Sequence, residues 1–207
     1  MCTAARGQVL APWPNRIVDG RYTFDGVKHE LPITERERST AIHGLVRWAT
    51  WSLASRTESS VTLAHTLHPQ PGYPFTLGLE VTYELGDDGL RVTTRAENVG
   101  DTACPFGLGY HPYIACRVDE IVGDAKLDET RTGLDRFQVG GVEVWWDAAF
   151  PYVQVFSGDL PDVRRLGLAV EPMTCPPNAF NTGEGLLRLE PGDRFEGSWG
   201  IRVTQFT

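Results

Sequence analysis

Four short segments of this chain combine ionisable side chains with glycine and proline, which interrupt regular structure. They are PWPNRIVDGRYTFDG (12–26), HGLVRW (43–48), GYHPYI (109–114) and EPMTCPPNAFNTG (171–183). Together they supply two histidines, an arginine and a carboxylate. A carboxylate and an imidazole can serve as general base and general acid once their surroundings bring both to titrate near neutral pH. The set is therefore suited to hold a polyhydroxylated molecule and to move a proton on and off it.

Glu171 and His111 stand at the ends of two strand-like stretches that share one pattern. In LGLAVEP the face that carries the glutamate also carries a glycine and an alanine, and in FGLGYHPY the histidine face carries two glycines. Such small residues leave room beside a strand for a ligand, and the proline that follows ends regular pairing. Both residues also have plainer interpretations, namely a solvent-facing glutamate at a strand end and a histidine satisfied within the fold.

His43 and Arg16 complete the candidate set. His43 is followed by Gly44, which permits a close backbone approach or an unusual φ. Arg16 follows Asn15 and stands before an apolar residue, where it either contacts a ligand or binds loop carbonyls. The other three histidines have no partner in the pattern and receive no role: His29, His65 and His68.

The elements that must position these residues have the pattern of antiparallel strands. Apolar and polar residues alternate over 75–85 and again over 90–96, with the turn sequence GDDG between them. This period of two predicts a β-hairpin, and Asp25-Gly26 predicts a second, tight hairpin turn with positive φ. No stretch shows a helical period over ten or more residues, and 35–39 predicts a single turn. The sequence therefore predicts an all-β, antiparallel protein with one domain spanning 1–207.

Composition and charge narrow the choice of partners. The 207 residues suffice for one large β domain with a sizeable core. A net charge of −8 without a lysine or arginine run argues against nucleic acid and against an anionic membrane surface. No apolar run approaches the roughly 18 residues that span a bilayer, and no secretion signal is visible. The four cysteines are too widely spaced for a zinc cluster. Because no secretion signal is visible, we expect a cytoplasmic protein with reduced thiols.

In order along the chain, these segments resemble those of the aldose 1-epimerases (galactose mutarotases). PWPNRIVDGRYTFDG resembles the family's N-R-I segment and the hairpin after it, HGLVRW its histidine-glycine motif, and GLGYHPYI its second histidine motif. The strands from PGYPFTLGLEVTYEL to GLRVTTRAENVG resemble its central pair, and EPMTCPPNAFN followed by LEPGD resembles its C-terminal signature. A single such motif is weak evidence for a family, but five in the right order, over about residues 6–199, are specific evidence for this one. The resemblance implies an antiparallel β-supersandwich with a groove across one sheet.

The resemblance also implies an activity and a role for each site residue. Glu171 would be the general base and His111 the general acid of an epimerase that interconverts the α and β anomers of a free hexose such as glucose or galactose. The implied substrate-binding residues are His43, Arg16, Asn15 and, from the looser match of WWDAAF, Asp147. No metal or other cofactor is needed for this chemistry. Because PNR supplies one arginine and no convincing second is evident, free sugars are favoured over hexose 6-phosphates.

The chain departs from the family in one respect. Members usually carry several further strands before the N-R-I segment, whereas Met1 lies here only a few residues upstream. Missing strands would expose a sheet edge, and such edges are normally covered. We therefore hypothesise a homodimer across that edge, which a strictly monomeric mass in solution would contradict.

Two rival functions stay open from the sequence alone. His43, His111 and Glu171 could form a two-histidine, one-carboxylate metal set, in which case a chelator would abolish activity. A non-catalytic carbohydrate-binding protein of the same fold would instead bind a sugar without accelerating any reaction.

Overall fold

The structure, a computed structural model, describes residues 4–160 and 165–204. Within these ranges the protein is built almost wholly from antiparallel strands, as the alternating patterns predicted. The α-helices, Val118–Val122 (α1) and Ala179–Thr182 (α2), are each about one turn long. A 3₁₀ helix at Arg36–Arg38 is the single turn predicted there. No helix in the described ranges combines the length and the apolar character needed to cross a bilayer.

The strands are numbered here in chain order. The first nine are β1 (Val9–Leu10), β2 (Arg16–Val18), β3 (Arg21–Phe24), β4 (Val27–Glu30), β5 (Thr40–Ile42), β6 (Ser52–Arg56), β7 (Ser60–Leu67), β8 (Leu77–Gly86) and β9 (Gly89–Asn98). The others are β10 (Cys104–Phe106), β11 (Gly109–Tyr110), β12 (Tyr113–Ile114), β13 (Asp128–Thr132), β14 (Arg136–Val139), β15 (Val142–Trp146), β16 (Tyr152–Phe156), β17 (Leu168–Met173), β18 (Leu187–Leu189) and β19 (Arg194–Val203).

The larger sheet has seven strands in the order β14-β15-β19-β9-β8-β7-β6. Its central hairpin, β8 and β9, is the predicted one. Leu77, Leu79 and Val81 are buried in the core, and Gly86 pairs with Gly89 across a two-residue turn. Successive strand side chains point to opposite faces, so the alternation in the sequence becomes one buried and one exposed face.

The second sheet has six strands, in the order β1-β11-β17-β16-β13 with β12 also paired to β17. Three two-stranded sheets accompany it: β2–β5, β3–β4 and β10–β18. The main sheets share a core, because the Tyr110 ring on β11 lies 5.1 Å from the Trp199 ring on β19. The Tyr110 hydroxyl is also hydrogen-bonded to that of Thr94 on β9. The architecture is the predicted antiparallel β-sandwich.

The tight turn predicted at Asp25-Gly26 joins β3 to β4. Both residues have positive φ, 49° and 76°, and Phe24 pairs with Val27 across them. Two left-handed residues at a two-residue loop match the right-handed twist of the strands, so the prediction is confirmed.

The sequence suggested that the small residues before Glu171 and His111 leave space for a ligand. The structure shows that they do not. A Cβ atom on Gly109 would lie 2.8 Å from Cβ of Pro14, and one on Gly167 would lie 2.7 Å from the backbone oxygen of Ile114. The space is filled by neighbouring chain. At Gly109 this close packing lets the proline-rich segment lie on the six-stranded sheet, and that segment leads directly to Arg16.

Candidate active site

A cavity of about 320 Å³ opens on the face of the six-stranded sheet, and this volume is typical of small-molecule sites. Five of the six residues predicted for the site line it, although they come from four distant parts of the chain: Asn15, Arg16, His43, His111 and Glu171.

His111 and Glu171 face each other in this cavity. Glu171 lies within β17, and the backbone N–H of His111 donates to the carbonyl of Gln8, 3.2 Å away. His111 Nε2 is 3.3 Å from Glu171 Oε1, and the two side chains are 6% and 2% exposed. Such burial rules out the plainer interpretation of Glu171 as a solvent-facing residue at a strand end.

Aromatic neighbours fix the imidazole of His111. The ring of Tyr113 is stacked on it at 5.1 Å with an angle of 8° between the planes. His43 approaches edge-on at 5.2 Å and 78°. Arg6 lies over the Tyr113 ring, with its Cζ 5.2 Å from the ring centroid. These contacts hold the imidazole in one orientation, which proton transfer between fixed atoms requires.

A left-handed turn aims His43 into the cavity. His43 and Gly44 have φ values of 63° and 70°. A Cβ atom on Gly44 would lie 2.0 Å from the backbone oxygen of Ala11, so glycine is required, as predicted. The turn is held by two backbone hydrogen bonds of 2.7 Å, from His43 N to Asn15 O and from Leu45 N to Ala11 O.

Arg16 is held by a bidentate ion pair rather than by loop carbonyls. Its Nε and Nη2 lie 2.6 and 2.9 Å from the two oxygens of Glu35, which also accepts a hydrogen bond of 2.7 Å from Thr40 Oγ1. The hydrogen bond with Glu35 raises the pKa of Arg16. Asn178, in the C-terminal signature segment, ties down the same strand, because its Oδ1 accepts from Val18 N and its N–H donates to Arg16 O.

Asp128 is a cavity residue that the sequence analysis missed. It begins β13, and its Oδ1 accepts a hydrogen bond of 2.7 Å from Gln154 Nε2. The amide of Gln154 is itself oriented by Thr130, whose hydroxyl donates to its Oε1 at 2.5 Å. Arg38 Nη1 lies 3.4 Å from Asp128 Oδ2. The surrounding sequence, KLDETRT, shows no alternation that would single out this carboxylate.

Asp147, which was predicted to bind substrate, does not line the cavity. It lies exposed after β15, where its two carboxylate oxygens accept the backbone N–H groups of Ala149 at 2.9 Å and Ser198 at 2.7 Å. Both oxygens are therefore engaged in fixing a turn of the seven-stranded sheet. Asp147 is therefore not a residue of the cavity, whose aspartates are Asp128 and Asp159.

The aromatic residues near the motifs divide between cavity and core. Trp48 lines the cavity and is 59% exposed, and Tyr113 lines it from the His111 side. Tyr110 and Phe180 are buried, the latter with its ring 5.0 Å from that of Tyr22. Trp48 is therefore the exposed aromatic surface available to stack on a ligand.

Burial governs the ionisation of the cavity groups. It lowers the pKa of His111 to about 3 and that of His43 well below its usual value, and the charges of nearby arginines act in the same direction. Burial and the carboxylate of Asp128 raise the pKa of Glu171 well above its usual value, against an opposing effect of Arg16. Both directions favour the neutral forms, so His111 and Glu171 meet at 3.3 Å as a neutral pair with one proton to share.

Polar atoms without partners are concentrated in this cavity. Five lining side chains each carry a buried polar atom with no hydrogen bond: His43 Nδ1, Arg47 Nε, His111 Nδ1, Tyr113 OH and Glu171 Oε2. Buried polar groups in proteins are nearly always satisfied. So many exceptions in one cavity indicate a site built to bind a polar molecule.

The two histidines and the glutamate also meet the first condition for a metal site. His43, His111 and Glu171 each offer one ligand atom, and these atoms lie within 4.8 Å of one another. The rival metal set from the sequence is thus brought together in space.

A larger depression, of about 730 Å³, lies on the seven-stranded sheet, away from these groups. Four of its charged residues form two ion pairs, Arg95 with Glu196 at 2.6 Å and Arg194 with Glu97 at 3.0 Å. None of its described lining residues has a buried polar atom without a partner. We therefore place the functional site in the smaller cavity, on chemistry rather than on size.

Comparison with known proteins connects this site to one family. A family model described as aldose 1-epimerase matches residues 3–137. The uncharacterized protein YihR of Escherichia coli K12 is 37% identical over 239 aligned positions, which cover 93% of this chain and 77% of that protein. The aldose 1-epimerase of the same organism is 29% identical over 112 positions, covering 52% of this chain and 31% of the enzyme.

The alignment with YihR shows that the relative is longer within the matched stretch. Its 239 positions exceed the 207 residues of this chain by 32, so at least that many positions have no counterpart here.

A solved structure confirms the predicted fold. The GalM/aldose epimerase homologue from C. elegans matches with a TM-score of 0.81 over 99% of this chain and 84% of that one, at 18% identity. The fold is thus maintained at low sequence identity.

Proposed function

Because this chain belongs to the aldose 1-epimerase family, we propose that it is a mutarotase that interconverts the α and β anomers of a hexose by general acid/base catalysis. The observation that carries this proposal is the buried contact of 3.3 Å between His111 Nε2 and Glu171 Oε1. A proton donor and a proton acceptor side by side in a cavity of sugar size are what hemiacetal opening requires. Free glucose and galactose are the reference substrates.

The reaction conserves the single proton that His111 and Glu171 share. With this proton on His111, the Glu171 carboxylate takes the proton of the C1 hydroxyl while the imidazolium protonates the ring oxygen. The C1–O5 bond breaks, C1 becomes an aldehyde, and the proton is left on Glu171. Rotation about the C1–C2 bond presents the other face, and the reversed steps close the opposite anomer and return the proton to His111.

The neutral resting pair matches the middle of this cycle. Burial favours the state with the proton on Glu171, which is also the protonation state that follows ring opening. The two forms of the pair differ only by transfer of one proton between neighbouring atoms. No metal or nucleotide enters the scheme.

Other cavity residues would bind the sugar. The His43 imidazole, Arg16 and the amide of Asn15 offer polar groups beside the acid/base pair, and Asp128 offers a carboxylate for sugar hydroxyls. Trp48 supplies an exposed ring on which a sugar face can stack.

The test is polarimetry on freshly dissolved α-D-glucose and α-D-galactose, with purified protein and a chelator present. Positioned proton transfer contributes about 10²- to 10⁴-fold, so we expect the rotation to reach equilibrium much faster than in buffer. Sugar binding without acceleration would support the non-catalytic alternative and contradict our proposal.

A metal-dependent enzyme is the second candidate, and the clustering of His43, His111 and Glu171 favours it. The same experiment separates the two. Activity that disappears with chelator and returns with added divalent metal would support the metal enzyme, whereas activity indifferent to chelator supports proton transfer alone.

A further inference from the structure

Most of the charged groups in the cavity are already paired. Arg16 forms the bidentate pair with Glu35, and Arg38 lies 3.4 Å from Asp128. The other cavity aspartate, Asp159, is 3.0 Å from Arg165, with both side chains about nine-tenths buried. Glu171 and His111 share one proton and carry no net charge together.

Arg47 is the exception among the described cavity residues. Its Nε is buried and has no hydrogen-bond partner, and no described carboxylate lies within ion-pair distance of its guanidinium. Gln8 does reach Arg47, but it donates to the backbone carbonyl at 2.9 Å and carries no charge. An arginine remains protonated in proteins, so the cavity holds a partly buried positive charge without a counterion.

The backbone of Arg47 is tied to the His111 side of the cavity. Gln8 connects the two residues, because its side chain binds the Arg47 carbonyl while its own carbonyl accepts the N–H of His111. Asp128, by contrast, lies beside Arg16 and Arg38, and its charge acts on Glu171. Besides burial, the charge of the Arg47 guanidinium also lowers the pKa of His111, so the unpaired cation lies near the proposed general acid.

We propose that the substrate is a hexose bearing an anionic group on C6, and that Arg47 binds this group. The inference rests on the proposed mutarotase function and names the substrate class of that site. The chemistry sets the position: His111 faces the ring oxygen, this oxygen is bonded to C5, and C5 carries C6. A substituent on C6 therefore extends past the histidine side of the cavity.

The physical driving force is the cost of a buried, unpaired charge. Removing a charged group from water is unfavourable unless an opposite charge or hydrogen bonds compensate it. A carboxylate, phosphate or sulfate on C6 would supply both, since the guanidinium fork presents parallel N–H donors to such oxygens. This proposal differs from the sequence-based preference for uncharged sugars, which depended on finding one arginine near the site.

The experiment compares glucose with three derivatives that carry an anion at C6: glucuronate, glucose 6-sulfate and glucose 6-phosphate. Anomer exchange is followed by NMR, and kcat/KM is determined for the wild type and for Arg47→Gln. We expect at least one anionic sugar to exceed glucose by about 10-fold or more, and Arg47→Gln to lower that ratio by about 10- to 100-fold, as a charge-assisted hydrogen bond implies. The anionic sugar with the highest kcat/KM shows whether the site prefers a planar carboxylate or a tetrahedral sulfate or phosphate.

Two further variants act as matched controls. Arg47→Lys keeps the charge but not the fork, so it should retain part of the ratio. Arg38→Gln removes a cavity arginine that already pairs with Asp128, so it should change the ratio less than Arg47→Gln. Equal effects of the Arg38 and Arg47 variants on the ratio would overturn the assignment to Arg47.

Binding separates this inference from the proposed activity. Calorimetric titration of glucose 6-phosphate and glucose 6-sulfate into the wild type and Arg47→Gln measures the binding affinity independently of catalysis. If no sugar is epimerised but the anions bind through Arg47, the inference stands and the activity fails. If glucose is epimerised, and neither rate nor binding favours any anionic sugar, the inference is wrong and the activity stands.

Discussion

The Nε2 atom of His111 lies 3.3 Å from Oε1 of Glu171, and both side chains are almost wholly removed from solvent. Two opposite charges at this distance would attract, but burial shifts each pKa toward the neutral form, downward for His111 and upward for Glu171. The pair thus keeps one proton that either residue can hold. Its function depends on both residues, so each has its own test.

Replacing Glu171 by Gln should remove catalysis and largely spare sugar binding. The amide has nearly the shape of the protonated carboxyl but cannot accept the C1 hydroxyl proton. We expect kcat for anomer exchange to fall by about 10²- to 10⁴-fold, with binding measured by calorimetry little changed. Glu58→Gln, at an exposed carboxylate in the turn between β6 and β7, is the control. Full activity in the Glu171 variant would show that the base is another residue.

His111→Asn should give a similar loss, because asparagine retains a polar group but cannot donate a proton to the ring oxygen. The expected fall in kcat is again about 10²- to 10⁴-fold. The double variant with Glu171→Gln should be little slower than either single one, since residues that act as a unit lose activity non-additively. Additive losses in kcat would argue that the two residues act in separate steps.

Asp128→Asn and Asp147→Asn distinguish the cavity aspartate from the one predicted by sequence. A charged hydrogen bond to a sugar hydroxyl is worth about 1.5–3 kcal/mol, so the Asp128 variant should lose about 10- to 100-fold in kcat/KM. The Asp147 variant should lose about 1 kcal/mol of stability through its two backbone hydrogen bonds, with kcat/KM unaffected. Steady-state kinetics and thermal melts of both variants are the measurement, and the reverse result would restore Asp147 to the site.

The stability of the protein should fall as pH is lowered from about 6.5 to 4.5. His43 and His111 have lowered pKa values when folded, so below about pH 6.5 they bind protons only in the unfolded chain. Glu171 has a raised pKa and acts oppositely, because above about pH 4.3 it holds a proton only when folded. The unfolded chain therefore binds one more proton net, and these three groups lower the unfolding free energy by about 1.4 kcal/mol per pH unit.

Urea unfolding at several pH values measures this slope. His43→Gln removes one of the two buried histidines, so its slope should be smaller by about 1.4 kcal/mol per pH unit. His68→Gln, at an exposed position, should keep the wild-type slope. Equal slopes in the two variants would show that His43 is not neutral in the folded protein.

Gly44→Ala tests the turn that carries His43. Gly26 and Gly44 both have left-handed φ, but a Cβ atom meets nothing at Gly26 and lies 2.0 Å from Ala11 O at Gly44. Gly26→Ala should therefore cost about 1–2 kcal/mol from the backbone conformation alone. Gly44→Ala should cost more and also slow anomer exchange, because the turn must move. Equal destabilisation of the two variants in thermal melts would contradict this account.

Local patterns in the sequence predicted the elements well. Alternation located β8 and β9, and Asp25-Gly26 located a hairpin, because both signals depend on neighbouring residues. A similar local pattern drew attention to Glu171 and His111, but their roles came from the family resemblance, and the strand does not end at Glu171, since Pro172 pairs with Val153. The motif carrying His43 also held the requirement for glycine that the structure confirms.

What the sequence could not predict depends on pairing between distant strands. Asp128 reaches the cavity because β13 pairs with β16, and Gln154 on β16 orients its carboxylate. The alternation of apolar and polar residues within a strand does not reveal which strands are neighbours. Asp147 was assigned to the site from a loose motif match, which does not reveal that its turn uses the carboxylate for backbone hydrogen bonds. Arg47 was overlooked since its lack of a counterion becomes evident only when the whole cavity is assembled.

The hydrogen bond from Val18 N to Asn178 Oδ1 joins residues 160 positions apart, and it ties the strand of Arg16 to the segment that follows Glu171. We expect contacts of such long range to form late in folding, because closing a large loop costs chain entropy before the contact adds any stability. The recovery of enzymatic activity during refolding should therefore mark the end of folding rather than its beginning. After a single cut in the chain between these two segments, only noncovalent contacts such as this one would hold together the groups that the reaction needs.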